Sequence, residues 1–196
     1  MGAGEHVVVH TSRWWERVQA RREHRAPEPL LHAALEIYTD SCRYVVEMTP
    51  AWGQPAGARG VVASGPVGLR ALGGLRAFRY EVRAWPDGEL PDRTFAVGAP
   101  VVIPLTTDRV DTLLGRLAYV PPLTWGRSVL PAGDMWNSNS LVSWLLTTSG
   151  VDATRLRPRS GRAPGWDAGI VVAGSAGHRP GGFGPGRQTE SPGGSV

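Results

Sequence analysis

Asn137-Ser138-Asn139-Ser140-Leu141-Val142-Ser143-Trp144-Leu145-Leu146 sets four short polar residues against an apolar run. The junction reads as a helix N-terminus. Asn and Ser are favoured there because their side-chain oxygens accept hydrogen bonds from backbone N–H groups that the helix leaves unpaired. The same end carries the positive pole of the helix dipole, which suits an anion or an activated nucleophile. Two readings start from this stretch: a cap that only closes the helix, and a cap that also presents a reactive Ser138. Gly150 follows as the residue that ends the helix.

Working outward, Asp108–Tyr119 places Val110, Leu113, Leu114 and Leu117 on one helical face, and Ala99–Leu105 reads as a strand. Ala77–Trp85 alternates apolar with polar at period two, a half-buried strand. Leu30–Tyr38 and Arg43–Thr49 flank the turn Thr39-Asp40-Ser41, the pattern of a β-hairpin. Pro50 to Gly74, Leu123–Ala132 and Arg155–Asp167 read as loops. Toward the N-terminus, His6–Thr11 reads as a short strand and Arg13–Glu23 as a helix held by Trp14, Trp15 and Val18, stopped by Pro27. Gly169–Ala173 reads as a last short strand. Residues 1–29 thus form an N-terminal strand-and-helix segment, 30–173 the main domain, and 174–196 a disordered Gly/Pro-rich tail with almost nothing to bury. This order is an α+β arrangement, a mostly antiparallel sheet with packed helices.

Composition narrows the function. In 196 residues 41% are hydrophobic, enough for a real core. All 21 basic residues are Arg, scattered apart from Arg21-Arg22 with Arg25 and Arg155 to Arg162, and the net charge is +4. A nucleic-acid surface needs a denser basic face, so no nucleic-acid partner is expected. Cys42 is the single cysteine, which excludes an internal disulfide and a multi-cysteine zinc site, and the five histidines lack metal-ligand spacing. No cofactor or metal is called for. No apolar run approaches the ~20 residues of a membrane span. No secretory signal stands at the N-terminus, so the expected location is the cytoplasm.

A hydroxyl nucleophile needs a base within hydrogen-bond reach, and the base an orienting group. In His32-Ala33-Ala34-Leu35-Glu36-Ile37 the strand period puts His32 and Glu36 on one face. Glu47 on the second hairpin strand is the other possible orienter. If the residue numbers of hairpin partners sum to an odd value, Glu47 shares the His32 face; if even, it points away. The sequence leaves the register open. Against this stands the plain alternative of a satisfied strand histidine and a solvated edge charge.

Histidine at the start of an early strand, followed much later by Asn-Cys-polar-polar-apolar at a helix N-terminus, is the order of the circularly permuted papain-like proteins. These include the lecithin retinol acyltransferase-like, PPPDE-type and permuted NlpC/P60-like groups. His32–Ile37 resembles their histidine strand, and Asn137–Val142 resembles the nucleophile segment with Ser138 in the cysteine position. The resemblance covers roughly Leu30 to Gly150 and implies a permuted papain-like topology. It implies an amide or ester hydrolase or acyltransferase with Ser138 as nucleophile, His32 as base and Glu36 or Glu47 as orienter. Asn137 or a backbone N–H would hold the oxyanion, with Asn139 and Trp136 as further binding residues, and the substrate would be peptide-like or acyl. The departure matters: a serine hydroxyl, with its far higher pKa, gains little from the helix dipole and must be deprotonated by His32 during attack. The alternative is a catalytically inactive binding module that retains the fold.

Other motifs fail. Gly68 and Gly73 have phosphate-loop spacing, but Gly74-Leu75 stands where Lys-Ser/Thr is required. Gly126-Arg127-Ser128 lacks the last glycine of a nucleophile elbow. Trp125, Trp136 and Trp144 either pack or line a groove for an extended substrate.

Overall fold

The computed structural model describes residues 16–18, 20–52, 60–90, 93, 96–129, 134–158 and 161–176. The expected strand His6–Thr11, the start of the Arg13–Glu23 helix and the tail beyond residue 176 lie outside them. The fold is α+β. Four antiparallel strands, β1 (Leu35–Tyr38), β2 (Arg43–Pro50), β3 (Val61–Pro66) and β4 (Arg79–Pro86), form one sheet in the order β1-β2-β4-β3. Three helices follow: α1 (Thr107–Arg116), α2 (Ser138–Thr148) and α3 (Trp166–Ala176). A short 3-10 turn, Leu117–Tyr119, continues α1. Among the described residues no helix is long and apolar enough to cross a membrane.

The sheet has two unlike faces. Val46, Met48, Tyr80 and Val82 point to one side and join Trp136, Leu141, Trp144 and Leu145 in the core. Each such side chain contributes about 1.5–3 kcal/mol by leaving water. The alternating residues Glu47, Thr49, Glu81 and Arg83 occupy the opposite face. β1 pairs Leu35 with Val46 and Glu36 with Val45, an odd register, so Glu47 shares a face with Glu36. That face is turned away from α2.

Several elements differ from the sequence expectation. Of Leu30–Tyr38 only Leu35–Tyr38 is strand; Leu30 makes an isolated bridge to Arg162 instead. The expected loop Pro50 to Gly74 contains β3 and a 3-10 turn, Arg70–Gly74. The tertiary pairing with β4 completes a strand that its Gly and Pro neighbours obscure. Ala99–Leu105 is not a strand. Pro100 and Pro104 lack the N–H a ladder needs, although Ile103 and Leu105 still pack on the core. Gly169–Ala173 lies inside α3: packing on α2 overrides the strand preference of Ile170-Val171-Val172.

The α2–α3 contact explains a glycine. A Cβ on Gly169 would stand 2.1 Å from both the Ser140 carbonyl oxygen and Ser143 Oγ. Small residues on both helices let the backbones approach, and Ser143 Oγ donates to the Trp166 carbonyl at 2.7 Å.

Candidate functional site

α2 begins in a full capping box. Asn137 is extended, and its Oδ1 accepts from the Asn139 and Ser140 N–H groups at 2.9 and 3.2 Å. Ser140 Oγ accepts from the Asn137 N–H at 2.9 Å and donates to the Met135 carbonyl at 2.8 Å. Asn137 Nδ2 donates to Pro164 O at 2.7 Å. The preceding loop and the 164–166 turn are therefore held against the first helical turn. Gly165 sits at φ +89 with the position of a Cβ only 2.3 Å from Asn137 Oδ1, so the turn lies directly on the cap. Asp134 fastens the other side: its carboxylate accepts from the Gly165 N–H at 2.6 Å and the Ala168 N–H at 3.0 Å, capping α3 from a distance.

Ser138 is the first residue of α2, buried at 4% exposure, and its hydroxyl makes no hydrogen bond among the described residues. Asn139, at 2% exposure, donates through Nδ2 to the Leu31 and Pro164 carbonyls at 3.0 and 2.9 Å, while its Oδ1 is buried without a partner. Leu31 precedes His32, and its N–H in turn donates to the Arg162 carbonyl at 2.7 Å. The chain at His32 is thus pinned beside the first turn of α2. His32 itself is exposed, in a stretch ahead of β1 rather than in a strand.

The structure brings Asn137, Ser138, Asn139 and the backbone at His32 together. It does not bring Glu36 or Glu47 to them. Glu36 accepts from the Tyr38 hydroxyl at 2.8 Å and faces Arg93 at 3.6 Å, on edge strand β1. Glu47 is a buried residue of a central strand, not a solvated edge charge, and stands across from Arg83. Arg83 is itself buried and bonded to Glu81. Trp136 is wholly enclosed, with Nε1 donating to the Tyr80 hydroxyl at 3.3 Å, so it packs and lines no groove. Burial pushes the Tyr80 hydroxyl up to about 12. Trp144 and Trp166 are buried too.

Sequence reading missed Asp134 and Gly165. Their roles depend on the 164–168 backbone arriving at the cap, and only the Pro164-Gly165 turn signal hinted at it.

Cys42 lies in the hairpin turn, beyond the far end of β1 from His32. Its thiol is held below the ordinary cysteine range, first by the Thr39 hydroxyl and then by Tyr44. A separate hollow of about 390 Å³ opens between the sheet and α1, lined by Tyr44, Val62, Ala84, Leu114, Leu117 and Ala118. Among the described residues no group of three or more His, Cys, Asp or Glu side chains is placed to hold a metal. No family model, curated protein or solved structure matches the chain.

Proposed function

We propose that the chain is a serine-dependent hydrolase or acyltransferase of permuted papain-like type, acting on an amide or ester through Ser138 and His32. The observation that carries the reading is the Asn139 amide, which ties the carbonyl ahead of His32 to the helical turn of Ser138 at 3.0 Å. An unbonded hydroxyl at a helix N-terminus and an exposed imidazole on the adjacent chain are the two parts of a nucleophile–base dyad. In the reaction Ser138 Oγ attacks the carbonyl carbon while His32 takes its proton. The carbonyl oxygen gathers negative charge at the N-terminal end of α2. His32 then returns the proton to the leaving amine or alcohol, and water or an acceptor removes the acyl group. Glu36 and Glu47, the two candidate orienters, share the face of the sheet turned away from α2.

A second reading is favoured by the closure of the first turn. Asn137 to Ser140 are each at most 8% exposed, and the capping bonds are complete. On that reading the domain is catalytically silent, and the hollow between the sheet and α1 is the place for a ligand.

A fluorophosphonate probe separates the two. Wild type should label and Ser138→Ala should not, while Ser138→Cys should gain reactivity toward iodoacetamide beyond that of Cys42. Labelling that survives Ser138→Ala overturns the nucleophile assignment; an unlabelled wild type leaves the silent reading.

A further inference from the structure

From Met48 to Tyr80 the chain carries four arginines and no aspartate or glutamate. The described part of this stretch closes one end of the sheet, opposite the hairpin turn that joins β1 to β2. β2 ends there with Pro50 across from Tyr80, and β3 ends with Pro66 across from Arg79. Beyond them run two 3-10 turns, Arg70–Gly74 and Arg76–Phe78. Their backbones are tied to the strands. The Val67 N–H donates to Phe78 O at 2.7 Å, the Ala51 N–H to Arg79 O at 2.9 Å, and Arg76 Nε to Ala51 O at 3.1 Å. On this frame Trp52, Leu69, Leu75 and Phe78 stand 36% to 58% exposed, and none of them packs on the core. Large apolar side chains gathered in water at one end of a domain mark a contact surface.

Charge selects the partner. Arg70 is exposed and forms no hydrogen bond or ion pair among the described residues. Arg79 donates to Gly73 O and to Ser64 Oγ, each at 2.8 Å. Arg127 donates to Gly68 O, next to the bond from the Gly68 N–H to Trp125 O. These acceptors are neutral, so both guanidinium groups keep their charge. We propose that this end of the sheet is a peripheral docking surface for an anionic lipid bilayer, independent of the chemistry at Ser138. The apolar side chains enter the headgroup region while the arginines meet lipid phosphates. Trp52 suits such a boundary, with an apolar ring and an N–H for the wet layer. A fluid bilayer moulds to separate side chains on short turns, where a folded partner would need a matching surface.

The test mixes the full chain with vesicles of phosphatidylcholine and phosphatidylglycerol, or of phosphatidylcholine alone, and follows cosedimentation through a salt series. Wild type should bind the anionic vesicles at low salt, leave them as salt rises, and ignore the neutral ones. Arg70→Glu removes two units of charge and should weaken partitioning about 30-fold, at about 1 kcal/mol per unit near an anionic surface. Leu69→Ser combined with Leu75→Ser should weaken it by about 10-fold or more. Both changes lie outside the core, so these variants should melt like wild type. Arg155→Glu makes the same change in net charge on the exposed turn after α2, and should bind as wild type does. Wild type that stays in solution beside anionic vesicles overturns the proposal. So does binding that Arg155→Glu lowers as much as Arg70→Glu, or that the leucine pair leaves unchanged. Self-association that the leucine pair abolishes, without any vesicle binding, also overturns it and assigns the patch to a protein interface.

Discussion

Replacing Gly169 by alanine probes the contact that holds α2 in place. The added Cβ would lie 2.1 Å from the Ser140 carbonyl oxygen and 2.1 Å from Ser143 Oγ, more than 1 Å short of ordinary contact. Neither neighbour yields cheaply: one is helix backbone, and the other is a short side chain already donating to Trp166 O. Overpacking of this kind costs about 1–3 kcal/mol. Loss of the Ser143 bond adds about 1 kcal/mol. The better helix propensity of alanine returns roughly 1 kcal/mol. The net expectation is a loss of about 1–3 kcal/mol, a fall of about 2–12 °C in Tm for a chain of this size. Gly174→Ala is the matched control, because that glycine is also in α3 and nothing lies within 4 Å of its Cβ position. Thermal and urea melts followed by circular dichroism measure both. A Gly169→Ala protein as stable as Gly174→Ala would refute the claim that the two helices meet backbone to backbone at this point.

Asp134→Ala should lower stability by about 2–3 kcal/mol in urea melts, because the Gly165 and Ala168 N–H groups lose a charged acceptor. Asp134→Asn, which keeps one oxygen, should lose clearly less, and equal losses would remove the capping role. For Tyr80 the folded value of about 12 lies above the ordinary 10.0, so its contribution is intact below pH 10 and is lost as pH rises toward 12. Alkaline melts should show that decline in wild type. Tyr80→Phe should flatten it while losing about 1–2 kcal/mol at neutral pH, since the bonds to Trp136 and Leu123 go.

The helix Ser138–Thr148, its Asn137 cap and the Gly150 stop, at φ +77, were legible because each depends on neighbours within a turn or two. The hairpin and β4 were legible for the same reason, through their period of two and their turn residues. Ile170-Val171-Val172 misled because β-branched residues favour strands until a helix face needs them. Val61–Pro66 hid in a Gly/Pro-rich stretch because its strand partner, β4, lies beyond a further turn.

The candidate site divides along the same line. The sequence by itself determined that α2 opens behind a cap of short polar side chains, and that Ser138 stands at its positive end, since capping is local chemistry. Tertiary structure alone decided the rest: the odd hairpin register that puts Glu47 with Glu36 on the face away from α2, the arrival of Leu31 and Pro164 at Asn139, and the cap of Asp134 over α3. A one-residue change of register reverses every side chain of a strand, and hydrogen bonds between segments 25 to 108 residues apart leave no period in the chain. Which acid faces which base is therefore a property of the packed sheet.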